Sequence, residues 1–448
     1  MGKVFGTDGA RGVVNKDLNC DLALKIGASV ARVLKENYKK DMLNFLIGSD
    51  TRISKDMLTN VVAAGVLSEG CNILNVGVIP TPAISYLTRK YNMDGAFVIS
   101  ASHNPSEYNG IKVLDENGIK LSEELEDKCE GIILNDFKLN ENVNECGSYE
   151  NNYDAIYDYV DYLAGTINND ISGIKILIDT ANGAASKTAS LVFEKLNANF
   201  DVINNDPDGL NINKNSGSTH IDGLKEKVVS EGYDIGIAYD GDADRTILVD
   251  EKGCEIDGDF IIAIAGLNLK KEGKLINNTL VGTIMSNLGF MKFCEENDID
   301  FVSTSVGDKY VLKEMLEKGY VLGGEQSGHV IFKDFANTGD GELTSLQILN
   351  IMAKTGKSLS ELSCVMKKYP QVLINANVSK EGKDLYKERF DIHDVISKHE
   401  QMMHGDGRIV VRPSGTENYI RVMIEGSKID EITKICKEIA AYIEKELK

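Results

Sequence analysis

The chain has 448 residues, a length that predicts roughly three or four domains of typical size. Its hydrophobic content of 42% is sufficient for buried cores, whereas its net charge of −20 argues against nucleic acid or an anionic membrane surface as a partner. Aromatic residues make up only 7% and tryptophan is absent, so we expect no stacking platform for bases or glycans.

The eight cysteines lie far apart and show no zinc-ligand spacing, a pattern typical of small hydrophobic residues in a reducing compartment. The sequence does not open with a charged-then-apolar leader, and it contains no apolar run long enough to span a bilayer. We therefore expect a cytoplasmic protein without a membrane partner.

The first three quarters of the chain repeat one plan three times. Each copy begins with an apolar strand, a polar turn and a helix, and these first strands are predicted at 44–52, 174–182 and 279–285. A second strand follows, predicted at 72–76, 200–203 and 301–304. Each copy ends with two strands joined by a polar loop, at 96–113, 234–250 and 320–332. The alternation predicts mainly parallel sheets, which bind ligands where loops leave the strand ends.

The last quarter has a different pattern. Two predicted strands, 407–412 and 419–424, are joined across 413–418, and a helix after Asp430 shows apolar residues at helical spacing. We predict an α/β protein in which three similar mixed, mainly parallel α/β/α domains and a smaller C-terminal α+β domain surround a central cleft. The predicted domains are 1–155, 156–253, 254–367 and 368–448.

The first polar loop, 100–105 (Ser-Ala-Ser-His-Asn-Pro), offers Ser102 as a nucleophile that a base or a metal would have to activate. Small neighbours would leave its oxygen accessible. This loop alone favours a plain polar turn. A Ser-His-Asp hydrolase is a further alternative, but the loop lacks a G-x-S-x-G elbow, and His103 need not reach the serine it follows.

Lys112 begins the strand that leaves this loop. It could shuttle a proton if a cationic pocket lowered its pKa, although spacing alone favours a solvated lysine on a strand.

The second loop places Asp240, Asp242 and Asp244 at alternate positions between two apolar strands. Three carboxylates on one tip would repel each other without a cation, and oxygen ligands suit Mg²⁺ or Mn²⁺. An EF-hand is excluded because Arg245 occupies the position that requires glycine. We expect a metal site here, ahead of a solvated acidic turn, and a phosphate on Ser102 would complete the metal shell.

The third loop contains Glu325 and Ser327, which on an extended backbone could both face one ligand and fix neighbouring sugar hydroxyls. His329 is either a ring donor to the same ligand or a core histidine on the next strand. The opening segment, 5–12, is another glycine-spaced turn and carries Arg11; it is not a Walker motif.

The fourth loop offers hydroxyls and unhindered backbone N–H groups at Ser414, Gly415 and Thr416, which are typical of an anion nest. Arg412 precedes the loop and Arg421 follows it, and arginine matches phosphate geometry with a bidentate fork. A tight hairpin with a surface arginine is the alternative for Arg421.

Taken in order, five segments resemble the signature loops of the α-D-phosphohexomutase family: 6–12, 100–105, 240–245, 325–329 and 412–417. The resemblance extends from Val4 to about Glu425. Three further segments, 209–213, 281–289 and 323–329, are similar to those of members that act on hexosamine phosphates.

This resemblance implies a phosphoserine at Ser102, which binds one Mg²⁺ per chain together with Asp240, Asp242 and Asp244. It implies catalytic roles for Arg11, His103 and Lys112, with Lys112 as the preferred general acid/base. It also implies substrate-binding roles for a larger set: Arg245, Lys309, Glu325, Ser327, His329, Arg412, Ser414, Gly415, Thr416 and Arg421.

The implied activity converts glucosamine 6-phosphate to the 1-phosphate through glucosamine 1,6-bisphosphate as intermediate or primer, and supplies UDP-N-acetylglucosamine synthesis. A phosphoglucomutase or phosphomannomutase of the same family, a phosphatase, and a sugar-phosphate-binding protein without turnover remain open. Hexosamine phosphates are the expected partners, with a homodimer as the candidate assembly. The chain departs from the family pattern at Lys309, where arginine is usual, at Asn418, where proline is usual, and at Ser216, where cysteine is common.

Overall fold

The computed structural model describes residues 4–6, 8–135, 137–139, 146–403, 405–414 and 417–448. The chain forms two compact units, the first from Met1–Thr283 with Val302–Cys364 and the second from Ile284–Phe301 with Val365–Lys448. No helix in the described ranges combines the length and the apolar character needed to cross a bilayer.

The first sheet has the strand order β1-β5-β4-β2-β3-β6. Its strands and the helices between them are β1 (Ala10–Val13), α1 (Cys20–Tyr38), β2 (Asn44–Ser49), α2 (Lys55–Ser68), β3 (Asn72–Val78), α3 (Thr81–Lys90), β4 (Gly95–Ile99), β5 (Tyr108–Asp115), α4 (Glu123–Leu134) and β6 (Tyr149–Asn151). Strand β2 is parallel to β3 and β4, and β5 is antiparallel to β4. Phe45, Ile47 and Phe97 belong to its buried core.

The second sheet has the order β11-β10-β9-β7-β8. Its segment of the chain contains α5 (Ala155–Ala164), β7 (Lys175–Asp179), α6 (Ala185–Lys195), β8 (Asn199–Ile203), α7 (Asp222–Glu231), β9 (Ile235–Tyr239), β10 (Thr246–Asp250) and β11 (Glu255–Ile256). Strand β7 is parallel to β8 and β9, and β10 is antiparallel to β9.

The third sheet has the order β13-β12-β14-β15. The elements of this segment are α8 (Gly258–Lys271), a 3₁₀ turn (Ile276–Asn278), β12 (Thr279–Thr283), α9 (Leu288–Glu296), β13 (Asp300–Thr304), α10 (Asp308–Lys318), β14 (Leu322–Gly324), β15 (Val330–Phe332), α11 (Gly341–Thr355) and α12 (Leu359–Ser363).

The three sheets share one strand arrangement, which appears as β5-β4-β2-β3, β10-β9-β7-β8 and β15-β14-β12-β13. In each copy the first, second and third strands are joined through helices, and the fourth returns antiparallel beside the third. The polar loops of the sequence occupy the same place in each copy, between the third and fourth strands. The predicted threefold plan of mixed α/β domains is confirmed.

The second unit contains the antiparallel sheet β16-β18-β17. Its C-terminal elements are β16 (Gln371–Asn377), α13 (Lys380–Leu385), a 3₁₀ turn (Tyr386–Glu388), α14 (Phe390–Met402), β17 (Gly407–Pro413), β18 (Tyr419–Gly426) and α15 (Ile429–Glu446). The apolar face of α15 lies in its core, including Ile432, Cys436 and Ile439, so the predicted α+β fold is confirmed.

All three predicted first strands end earlier than expected, at Ser49, Asp179 and Thr283, and the same kind of local contact explains the first two. Strand β2 ends at Ser49 because Asp50 Oδ1 accepts a hydrogen bond from the backbone N–H of Arg52 at 3.0 Å. Strand β7 ends at Asp179, whose Oδ1 accepts from the backbone N–H of Ala181 at 2.9 Å. Such side-chain contacts two residues ahead turn the chain and stop strand pairing.

Within the second unit, Glu425 is a fully buried carboxylate. It accepts hydrogen bonds from Arg408 Nε at 2.6 Å, Asn287 Nδ2 at 2.9 Å and the backbone N–H of Leu288 at 2.9 Å. These contacts fasten α9 to the β17–β18 hairpin, both of which belong to this unit.

We expect Glu425→Ala to lower the free energy of unfolding of the second unit by about 3 kcal/mol, because the Arg408 charge loses its buried partner. Thermal unfolding followed by circular dichroism measures the change. Glu438→Ala, on the exposed surface in the middle of α15, is the control and should leave the transition in place. Equal midpoints for the two variants would contradict the stabilising role of Glu425.

Candidate functional site

Ser102 lies in the loop between β4 and β5 and is only 1% exposed. Its Oγ donates a hydrogen bond to Asp240 Oδ2 at 2.6 Å and lies 3.3 Å from His103 Nδ1. The expectation of an accessible oxygen is therefore wrong, because the aspartate loop between β9 and β10 covers it. His103 does reach the serine that it follows.

The three loop aspartates converge within the first unit. Asp240, Asp242 and Asp244 each offer a carboxylate oxygen, and these atoms all lie within 4.8 Å of one another. Asp242 Oδ1 and Asp244 Oδ1 are buried and have no hydrogen-bond partner among the described residues. Buried oxygens without partners are costly unless a cation or water satisfies them, so this set fits a divalent metal ion.

The electrostatics of the aspartate loop also favour a bound divalent metal ion. Burial and the charges of Asp244 and Asp242 raise the pKa of Asp240 well above its usual range. Burial and Asp242 also raise the pKa of Asp244. Such like-charge crowding is relieved by a bound cation.

Lys112 is 1% exposed, so the solvated lysine that its spacing favoured is wrong. Its Nζ lies 3.0 Å from Asp242 Oδ2, 3.3 Å from Asp8 Oδ2 and 3.7 Å from Asp244 Oδ2. Its surroundings are acidic, not cationic as the proton-shuttle hypothesis required. Burial would lower the pKa of Lys112, but these carboxylates outweigh burial and raise it.

Charged side chains link the opening segment to the third polar loop within the first unit. Asp8 Oδ2 pairs with Arg11, and Asp8 Oδ1 accepts from Lys120 Nζ at 2.5 Å. Lys120 Nζ also contacts Asp308 Oδ2 at 2.6 Å, and Asp308 Oδ2 lies 3.6 Å from His329 Nε2. The result is a row of alternating charges from Arg11 to Asp308, which ends beside His329 of the third loop.

His103 and Arg245 meet beside the serine. Arg245 Nη1 lies 2.9 Å from His103 Nδ1, and its backbone N–H donates to Asp240 Oδ1 at 3.2 Å. Burial, followed by the charges of Arg245 and Arg11, lowers the pKa of His103 to about 4. His103 is therefore neutral near pH 7.

The residues of the third loop differ in their exposure to solvent. Ser327 is exposed, whereas His329 is 2% exposed and accepts a hydrogen bond from the backbone N–H of Gly339 at 3.2 Å. Its Nδ1 is buried without a hydrogen-bond partner in the described ranges. Glu325 Oε1 accepts from the backbone N–H of Gly307 at 3.1 Å, and Lys309 pairs with Glu123.

A cavity of about 540 Å³ lies in the first unit beside these groups. Lys112, Lys120, Asp308 and His329 line it together with apolar side chains from β5 and α10. Its volume is within the range typical of sites for small molecules.

The remaining predicted residues belong to the second unit. Arg412 on β17 lies directly opposite Arg421 on β18, and burial and the charge of Arg421 lower the pKa of Arg412. Ser414 is buried, and its Oγ accepts from the backbone N–H of Glu417 at 3.3 Å. Opposed like charges destabilise a strand pair unless an anion lies between them. Gly415 and Thr416 lie outside the described residues.

Sequence reasoning missed the residues that surround the predicted ones. They are Asp8, Arg52, Thr81, Lys120, Asn213 and Asp308. Thr81 Oγ1, for example, donates to Asp242 Oδ2 at 2.7 Å across 161 positions of the chain. Asp8 lies inside the opening segment 5–12 and Asn213 inside the segment 209–213, but nothing in their spacing indicated a partner.

Models of one protein family match almost the whole chain. The phosphoglucomutase/phosphomannomutase α/β/α domains I, II and III match residues 2–139, 157–253 and 257–369, and the C-terminal domain of that family matches residues 373–442. The chain belongs to the phosphoglucomutase/phosphomannomutase family of mutase enzymes, as the resemblance of its loops implied.

Within this family, the chain is similar to curated phosphoglucosamine mutases. That of Clostridium novyi (strain NT) is 52% identical over 449 residues, which cover 99% of each chain. That of Caldicellulosiruptor bescii is 51% identical over 451 residues and 100% of each chain.

Solved structures show the same fold. A phosphoglucomutase/phosphomannomutase family protein from Burkholderia thailandensis has a TM-score of 0.83 at 21% identity, covering 100% of this chain and 99% of that one. The N-acetylphosphoglucosamine mutase of Aspergillus fumigatus, in complex with GlcNAc-6P and magnesium, has a TM-score of 0.71 at 16% identity, covering 100% and 96%.

Proposed function

We propose that this protein interconverts glucosamine 6-phosphate and glucosamine 1-phosphate through a phosphoserine at position 102 and a bound 1,6-bisphosphate. The observation that carries the proposal is the contact of Ser102 Oγ with Asp240 in a buried triad of carboxylates. The substrate follows from curated phosphoglucosamine mutases that are about half identical over their full length.

The proposed reaction consists of two phosphoryl transfers. In the first, the bond from phosphorus to Ser102 Oγ breaks, a bond to the sugar O1 forms, and the proton of the sugar hydroxyl passes in net to Oγ. After the bisphosphate turns around, the bond from phosphorus to O6 breaks. Ser102 regains its phosphoryl group and its proton passes to O6, so atoms and charge balance over the cycle.

The chain's own cations position and neutralise the transferring group in this proposal. Lys112, which remains protonated beside its three carboxylates, is suited to donate a hydrogen bond and positive charge to the transferring group. Arg11 contacts the loop that contains Ser102, because its Nη1 donates a hydrogen bond to Asn104 Oδ1 at 3.4 Å. His103 is neutral and lies beside Oγ; its Nδ1 faces the donor Arg245 Nη1 and is therefore a hydrogen-bond acceptor.

Asp240, Asp242 and Asp244, together with phosphorylated Ser102, would hold one Mg²⁺. The ion would supply positive charge to the oxygens of the transferring phosphoryl group. Asp242 Oδ1 and Asp244 Oδ1, which accept no hydrogen bond from the described residues, support this assignment.

We propose that the substrate is held by groups on the remaining loops. Glu325 and Ser327 would bind sugar hydroxyls, with His329, Arg245 and Lys309 beside them, and the adjoining cavity has room for a small molecule. Arg412, Ser414, Gly415, Thr416 and Arg421 would bind the phosphate that does not react. Lys309 supplies a point charge where an arginine would supply a planar guanidinium fork. We therefore expect Lys309 to orient the bound substrate less precisely than an arginine would.

The proposed domains are 1–155, 156–253, 254–367 and 368–448, in a cytoplasmic enzyme with a homodimer as its candidate assembly.

A comparison of substrates tests the proposed specificity. We expect kcat/KM for glucosamine 6-phosphate to exceed that for glucose and mannose phosphates by at least about tenfold, because a site that hydrogen-bonds one substituent discriminates against its replacement. Coupled assays with purified enzyme, primed with the matching bisphosphate, measure the rates.

Higher rates on glucose or mannose phosphates would replace the proposal with a phosphoglucomutase or phosphomannomutase. Release of inorganic phosphate at the rate of substrate loss would indicate a phosphatase. Binding of hexosamine phosphates without turnover by primed enzyme would indicate a non-catalytic protein.

A further inference from the structure

The backbone of the phosphoserine loop has an unusual conformation that requires support. Ser102 has a φ of +52°, in the left-handed region that costs a non-glycine residue about 1–2 kcal/mol. Its backbone N–H donates to Ser100 Oγ at 3.0 Å, and Ser100 Oγ donates to Asp50 Oδ2 at 2.6 Å. The neighbouring structure therefore holds this conformation through specific contacts.

Arg52 binds the loop from the side of its carbonyl oxygens. Its side chain is 0% exposed, and Nη2 donates to the carbonyl oxygens of Ser102 at 3.0 Å and Asn104 at 2.7 Å. Nη1 donates to the carbonyl oxygen of Pro105, and Nε donates to Asp50 Oδ2 at 2.9 Å. One buried guanidinium thus holds three carbonyl groups of one loop, with Asp50 as its counter-charge.

Asn213 binds two of the same carbonyl groups from another part of the first unit. Its Nδ2 donates to the carbonyl oxygens of Ser102 at 2.9 Å and Asn104 at 3.1 Å. Asn213 lies in the segment 209–213, which resembles family members that act on hexosamine phosphates but for which the sequence predicted no residue role. The same segment contacts the residue after Arg52, since the N–H of Ile53 donates to the carbonyl oxygen of Gly209 at 2.9 Å.

The aspartate loop packs against the Ser102 carbonyl group from another side. A Cβ added to Gly241 would stand 2.5 Å from the carbonyl oxygen of Ser102 and 2.8 Å from Asn213 Nδ2. Glycine is required here because the two loops are in backbone contact. The distance between Ser102 and Asp240 therefore depends on where the Ser102 carbonyl group is held.

We propose that Arg52 and Asn213 are positioning residues for phosphoryl transfer. They bind the loop's carbonyl oxygens, maintain its left-handed backbone and so direct Ser102 Oγ towards Asp240. This inference rests on the proposed function. Neither side chain bonds to Ser102 Oγ or to the three aspartates in the described contacts, so both act through the loop and not on the substrate.

Asn213→Ala tests the proposal. We expect kcat to fall roughly 10- to 100-fold with little change in KM, since a misplaced reacting atom slows chemistry more than it weakens substrate binding. The matched control is Asn182→Ala. Asn182 is 8% exposed with φ +49°, close to the 7% and +59° of Asn213, so both variants lose the same left-handed preference of asparagine. The Asn182 side chain does not bond to the serine loop; its Oδ1 accepts from the backbone N–H of Asp206.

Single-turnover transfer from phosphorylated enzyme to glucosamine 6-phosphate should slow in parallel in Asn213→Ala and stay near the wild-type rate in Asn182→Ala. Thermal unfolding of both variants establishes that they fold. If Asn213→Ala melts below the control, Asn213→Ser, with a smaller change in polarity, is used for the same comparison.

Equal kcat for the variants at positions 213 and 182, or a loss confined to KM, would overturn the inference. A wild-type enzyme that shows no mutase activity would instead overturn the proposed function, so the two failures are distinguishable.

Discussion

Ser102→Ala should lose mutase turnover by at least about 10⁴-fold, since removal of a nucleophile that forms a covalent intermediate leaves only binding and electrostatic assistance. The substitution removes one buried oxygen and its hydrogen bond to Asp240. The fold should persist, because Arg52 and Asn213 hold the backbone of residue 102 and not its side chain. A coupled assay with saturating glucosamine 6-phosphate and bisphosphate primer measures the loss.

Ser106→Ala is the control for this experiment. Ser106 lies in the same loop between β4 and β5, but no described contact joins it to the aspartates. It should keep near wild-type activity. A Ser102→Ala enzyme that turns over at the wild-type rate would refute the phosphoserine role.

The second large effect is expected from Asp242→Asn, which keeps the shape of the side chain and removes its charge. We expect kcat to fall on the order of 10³-fold, because an ion that stabilises charge on the transferring group is held less firmly. The Mg²⁺ concentration for half-maximal activity should rise in the same variant. This second measurement separates a lost metal ligand from a lost partner of Lys112, which alone would not shift the metal requirement.

Asp234→Asn is the matched control, since Asp234 lies at the other end of the same hairpin and its carboxylate accepts from the backbone N–H of Lys175. Its Mg²⁺ dependence should be that of the wild type. Wild-type enzyme that retains full activity after chelation with EDTA would contradict the metal site.

The sequence predicted the parts of the fold that depend on local pattern. Apolar strands, polar turns and helices recur three times in the sequence, and the three sheets share one strand order. The helical spacing of Ile432, Cys436 and Ile439 correctly indicated a buried face. Strand ends were less predictable. Arg52 was placed in a strand, whereas the side chain of Asp50 turns the chain before it, and β2 ends at Ser49.

The site was predictable where one loop carries several chemical groups, as Asp240, Asp242 and Asp244 do. It was not predictable where a partner comes from a distant segment. Lys112 reads as a solvated strand residue until Asp242, 130 positions away, is placed 3.0 Å from it. Asn213 and Arg52 likewise donate hydrogen bonds to the carbonyl oxygen of Ser102, although neither residue is close to that loop in the sequence. Their positions in the chain therefore did not indicate this contact.

Both transfers of the proposed reaction require that Ser102 carries the phosphoryl group between them. Intact-mass measurement of the wild-type enzyme after incubation with glucosamine 1,6-bisphosphate, followed by peptide mapping, tests it most directly. We predict one phosphoryl group on the peptide that contains Ser102, and enzyme that is turning over glucosamine 6-phosphate should still carry it, because each cycle returns a phosphoryl group to Ser102. A phosphoryl group on another residue, or an active enzyme that carries no phosphoryl group on Ser102, would contradict it.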